Sequence, residues 1–117
     1  TNVNALLMQR LGGAAGSRNV TSGYTVLATD DLVTVDGTGG ANPCIVNLPP
    51  AADQQLPVAV KNLGTVPLRL TPHSPDTIEN GTLTTYDVPA SATPLFPTVT
   101  LHSDGVSNWY IVGGIGI

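Results

Sequence analysis

Val66-Pro67-Leu68-Arg69-Leu70-Thr71 is the stretch on which the reading of the fold turns. Val66, Leu68 and Leu70 alternate with Pro67, Arg69 and Thr71, a period of two that places the apolar side chains on one face of an extended chain. A helix would repeat its apolar positions every three or four residues. The pattern predicts a half-buried strand, and Pro67, with no N–H to give to a ladder, predicts that it lies at a sheet edge. One segment earlier, residues 58–62 read as a strand joined to this one by a hairpin over Leu63-Gly64-Thr65.

The same signals recur in both directions. Residues 24–28, 32–36, 44–48, 77–79, 83–88, 98–102 and 108–112 are short β-prone runs separated by turn residues. Asp36-Gly37-Thr38-Gly39-Gly40 is a loop of residues that tolerate positive φ. Pro49-Pro50 stops the strand at 44–48, and residues 51–56 are a connector with room for one helical turn. Asn80-Gly81 is a strong hairpin signal, predicting that 77–79 pairs with 83–88. Residues 103–107 predict a second hairpin, between 98–102 and 108–112. In the last strand Trp109 and Ile111 share one face and Tyr110 and Val112 the other, so these four are core or interface candidates. A strand apolar on both faces is either covered by a second sheet or covered by a partner. Eight or nine short strands without an interior helix predict an all-β fold, a small antiparallel sandwich or barrel of jelly-roll type.

The first residues read differently. Residues 4–11 form the one helix-compatible segment, capped by Asn4 and stopped by Gly12-Gly13. About two turns are too few to hold a helix in water unaided. Small residues follow, from Gly12 to Arg18. Residues 1–22 are therefore expected to be a short helical or extended arm with a linker, its apolar side chains Val3, Leu6, Leu7 and Leu11 available to dock on a neighbouring subunit, and residues 23–117 to be the β domain. The competing expectation is a terminal helix folded back on its own domain.

Four basic residues and eight acidic ones make a chain only 10% charged, with net charge −4. Soluble domains carry about a quarter Asp, Glu, Lys and Arg, which resist association. So sparse a surface suits a protein covered by neighbours. Four scattered basic residues cannot neutralise a run of phosphates, so nucleic acid is not an expected partner. Every apolar run is far shorter than the ~20 residues of a membrane span, and no membrane partner is expected. Cys44 is the one cysteine, which excludes an internal disulfide; within Cys44-Ile45-Val46 it reads as a buried, inert thiol.

The polar residues converge on no catalytic pattern. His102-Ser103-Asp104 contains the triad residue types, but neighbours on a strand point to opposite faces. Asp30, Asp31 and Asp36 match no calcium-loop spacing, His73 and His102 lack partners at zinc-ligand spacing, and Asp76 with Glu79 has no aromatic sugar platform beside it. No enzyme activity, cofactor or metal is expected.

Taken in order, residues 46–52 (Val-Asn-Leu-Pro-Pro-Ala-Ala), 60–64 (Val-Lys-Asn-Leu-Gly), 70–72 (Leu-Thr-Pro), 76–81 (Asp-Thr-Ile-Glu-Asn-Gly), 99–105 (Val-Thr-Leu-His-Ser-Asp-Gly) and 108–112 (Asn-Trp-Tyr-Ile-Val) resemble a β module of tailed-bacteriophage structural proteins, found in head fibres, capsid decoration proteins and tail-fibre tips. The resemblance covers about residues 44–112, with Glu79 where the pattern often has a smaller residue. It implies a non-enzymatic virion protein, commonly a homotrimer, and carries over no catalytic residue. The expected function is a capsid decoration, or cement, protein on the phage particle surface, its partners being its own copies and the major capsid protein. A receptor-binding or tail-fibre tip domain and a carbohydrate-binding lectin-like module are the alternatives.

Overall fold

The computed structural model describes residues 17–54, 56–91 and 96–116. The expected N-terminal helix, with Val3, Leu6, Leu7 and Leu11, lies outside these residues. The described chain is all-β. Its strands are β1 (Ser17–Val20), β2 (Tyr24–Thr25), β3 (Leu32–Val35), β4 (Cys44–Asn47), β5 (Val58–Asn62), β6 (Leu68–Thr71), β7 (Thr77–Ile78), β8 (Tyr86–Val88), β9 (Thr98–Ser103) and β10 (Asn108–Ile115), with one 3-10 turn at Ala51–Asp53 in the expected connector. Ser17 and Arg18, read as linker, already belong to β1.

The strands form two mixed sheets, one of six in the order β1-β3-β5-β9-β10-β7 and one of four in the order β2-β4-β6-β8. From β1 to β8 every step along the chain changes sheet. Successive passes then lie parallel on one another: β1 on β3, β3 on β5, β2 on β4, and β4 on β6. Parallel neighbours need a long crossover, usually a helix; here the crossover is a strand of the other sheet. Only β5–β9, β9–β10 and β6–β8 are antiparallel.

This topology corrects four expectations. The sheets are not antiparallel. The strands β5 and β6 are not a hairpin, because they lie in different sheets. Around Asn80-Gly81 the turn exists, with Glu79 and Asn80 at φ 53° and 55° and Gly81 at 84°. It closes only the Ile78–Leu83 bridge, since β7 and β8 also go to different sheets. Finally, Pro67 does not mark an edge. It precedes β6, which lies between β4 and β8, and its carbonyl accepts a hydrogen bond from Cys44 N–H. The hairpin between β9 and β10 is present as expected, with Trp109 opposite Ser103.

Alternation decides burial throughout. Val33, Val35, Val58, Val60, Val99, Leu101 and Trp109 of the six-stranded sheet join Cys44, Val46, Leu68, Leu70 and Val88 of the other in one buried cluster. Each valine or leucine so buried contributes about 1.5–3 kcal/mol. Asn62 is the polar member of this interior, fully buried at the end of β5. Its Nδ2 donates to the carbonyls of Val66 and Pro89, each at 2.8 Å, and its Oδ1 accepts from Gly64 N–H at 2.9 Å. It thereby ties β5 to the segments leading into β6 and out of β8.

Gly64 sits where two loops meet. A Cβ there would lie 2.8 Å from Asp36 Oδ1 and 2.9 Å from Gly37 N. Gly64→Ala is expected to cost about 1–3 kcal/mol through this overlap with backbone, read as a lower urea midpoint with an unchanged slope.

Candidate functional site

Among the described residues β10 carries the largest group of exposed apolar side chains on one strand. Trp109 is fully buried and Ile111 half-buried, while Tyr110, Val112 and Ile115 are 41%, 60% and 50% exposed. The register explains the outward set. Tyr110 stands opposite His102, Gly113 opposite Thr100 and Ile115 opposite Thr98, with a bulge at Val112. The extra residue lets Tyr110 and Ile115 share the outer face although they are five positions apart. Phe96, also exposed, precedes β9 at the Ile115 end.

The side of β10 away from β9 is paired only in part among the described residues. Its partner β7 reaches only Asn108 and Trp109. Glu79 Oε1 then takes Ile111 N–H at 2.8 Å. Beyond that point no strand among the described residues pairs with β10 on the side away from β9. An apolar, uncharged strand edge is a template for another chain unless something covers it.

A second feature lies on the four-stranded sheet. A cavity of about 190 Å³ is walled by residues 21–23 together with Gly37, Gly40 and Ala41, and floored by Cys44 and Ile45. Cys44 is buried as expected, and burial pushes its thiol pKa up. A Cβ on Gly37 would stand 3.2 Å from Cys44 Sγ, so glycine is what keeps this floor free of strain.

The polar residues singled out in the sequence have structural occupations. His102 and Ser103 lie on opposite faces of β9, the first exposed and the second buried with its hydroxyl donating to Ala51 O. Asp76 accepts Ala51 N–H, and Glu79 accepts Ile111 N–H, so the two carboxylates serve separate backbone groups. Asp30 is buried and accepts from Tyr24 Oη at 2.7 Å, Leu27 N at 2.9 Å and Arg18 Nε at 3.3 Å. Burial, then the hydrogen bond to Asp30, pushes the Tyr24 hydroxyl up to about 12. Among the described residues no group of three or more His, Cys, Asp or Glu is placed to hold a metal ion. Sequence reasoning missed Glu79 as a strand-edge cap and Asn62 as a buried tie, since neither residue type announces its partners.

Three carboxylates set an acid limit. Backbone N–H groups, Val106 first, hold Asp104 below its ordinary value; the Arg69 guanidinium does the same for Asp87, and the Thr38 hydroxyl and N–H for Asp36. A depressed folded pKa adds stability above the unfolded value and loses it as pH falls through the folded one. The melting temperature is therefore expected to drop as pH is lowered below about 4, the unperturbed carboxylate range. A melting curve series across that range checks it, and Asp104→Asn should flatten the dependence.

Comparison with protein-family models, curated proteins and solved structures finds no match to this chain.

Proposed function

We propose that this chain is a non-enzymatic structural protein of a phage particle, a capsid decoration protein that binds the head shell as a homotrimer. In this reading the two sheets face each other as a sandwich, and the arm expected within residues 1–22, of which Ser17–Val20 are β1, docks on neighbouring subunits. The observation that carries the assembly part is β10: Tyr110, Val112 and Ile115 are exposed along a strand that, beyond Ile111, no other described strand pairs on the side away from β9. Sparse surface charge supports the same reading, because few charges oppose close approach of copies. The ordered resemblance over residues 44–112 supports the virion part.

The test is location. Antibody against this chain, applied to phage particles and viewed by electron microscopy, is expected to label heads. Label at fibre tips would transfer the protein to receptor binding, and particles without label would contradict a virion role.

A further inference from the structure

We infer that Asn80 is a site of spontaneous covalent modification in the folded protein, losing ammonia through a succinimide to give isoaspartate and aspartate. The change releases the cover on β10 at Ile111. The sequence narrows the choice of site. Among the asparagines, Asn80 alone is followed by glycine, which has no side chain to shield the amide nitrogen. The others precede Val, Ala, Leu or Trp, or, at Asn42, a proline with no N–H to lose. The structure leaves the pair accessible. Asn80 and Gly81 are exposed, and a Cβ built on Gly81 would meet nothing within 4 Å. Gly81 N–H donates to Ile78 O over 3.2 Å, the long end for such a bond, so little holds this nitrogen back. The two Asp-Gly pairs are more restrained. Asp36 Oδ1 accepts Thr38 N–H at 3.1 Å, Asp104 Oδ1 accepts Val106 N–H at 2.8 Å, and Gly105 N–H donates to Ser103 Oγ at 2.8 Å. An ionised carboxylate is also a poorer target for a nucleophile than an amide.

The step balances with water alone. Hydroxide takes the Gly81 amide proton and the nitrogen attacks Asn80 Cγ. As the N–Cγ bond forms, the Cγ–Nδ2 bond breaks and ammonia leaves with a proton from solvent. Water then opens the ring at one of its two carbonyls. Breaking the new N–Cγ bond gives aspartate; breaking the original peptide bond gives isoaspartate, with the main chain routed through Cβ and Cγ. Either product adds a negative charge beside Glu79. Isoaspartate also lengthens the backbone inside a turn whose residues Glu79, Asn80 and Gly81 all have positive φ, at 53°, 55° and 84°. That turn holds Glu79 against β10. Glu79 N–H donates to Trp109 O and Glu79 Oε1 accepts Ile111 N–H, both at 2.8 Å, while Asn80 N–H donates to Asn108 Oδ1 at 2.8 Å. Two non-glycine residues in the left-handed region are strained before any reaction, and they keep that shape only while these contacts hold it. A longer, more negative turn gives up the Glu79–Ile111 contact.

The full chain is held in warm, mildly alkaline buffer, sampled over time, and mapped by mass spectrometry with electron-transfer fragmentation, which tells isoaspartate from aspartate. Asn80 is expected to convert ahead of every other asparagine and of both Asp-Gly pairs, with isoaspartate the larger product. The converted fraction is separated by its added charge. Hydrogen exchange at Ile111 in that fraction should be about tenfold faster or more, the scale of losing one hydrogen bond to a charged group. Asn80→Gly suits a φ of 55°, so it should fold, form no such species and keep Ile111 protected after the same incubation. Another residue converting ahead of Asn80, or conversion of Asn80 only in a urea-unfolded sample, would overturn the site. Conversion at Asn80 with Ile111 exchange unchanged would overturn the link to β10.

Discussion

Trp109→Ala is expected to lower the free energy of unfolding by about 3–5 kcal/mol, the usual cost of deleting a large aromatic ring from a closed core. Trp109 is the largest fully buried side chain, on a strand held by β9 on one side and β7 on the other. Set against the roughly 5–15 kcal/mol that folded domains possess, the loss would bring unfolding close to physiological temperature. Trp109→Phe discriminates between ring volume and ring polarity. Among the described residues the Nε1 group of Trp109 has no hydrogen-bond partner, so phenylalanine removes an unsatisfied donor while keeping most of the packing. Its cost is expected to stay below about 1.5 kcal/mol. Urea unfolding of the two variants checks both; equal losses would mean that the indole nitrogen, not the ring's bulk, supports the core.

Asn62→Ala is expected to be nearly as damaging, at about 2–4 kcal/mol, because it strands several buried backbone groups at once. The carbonyls of Val66 and Pro89 lose their donor, and Gly64 N–H loses its acceptor. Asn62→Asp keeps the size and the acceptor but points a carboxylate at two carbonyl oxygens. Its stability should therefore improve as pH falls toward the range where the acid protonates, the opposite of the wild-type trend. Unfolding curves of Asn62→Asp at neutral and acidic pH test the sign. A cost for Asn62→Ala below 1 kcal/mol, the scale of an ordinary exposed hydrogen bond, would show that water replaces these contacts.

The faces of the strands were legible in the sequence and their partners were not. Alternation at Val66–Thr71 and around Trp109 reports which side chains turn inward, and burial follows it: Leu68 and Leu70 are fully buried, Arg69 is half-exposed. A period of two carries no information about which strand lies alongside. The turn over Leu63-Gly64-Thr65 looked local, yet it passes β5 into one sheet and β6 into the other. Pro67 falls in that passage, before the ladder of β6 begins, where a missing N–H costs nothing. Glu79 illustrates the same limit at the candidate site. Its role depends on lying across from Ile111, more than thirty residues away in sequence, and no local pattern records that. The exposed outer set of Tyr110, Val112 and Ile115 was half legible: apolar residues on both faces were evident, but the bulge that brings Ile115 round was not.

The central proposal is that this chain works by self-assembly through the exposed apolar side chains of β10, which β7 pairs over only two residues. Sedimentation equilibrium of the full chain, beside Val112→Glu, tests it most directly. The wild-type protein is expected to show three times the 12.0 kDa chain mass, and Val112→Glu, folded by circular dichroism, to show a single chain. A wild-type protein that stays monomeric up to near-millimolar concentration, or a Val112→Glu variant that assembles as well as wild type, would contradict the account.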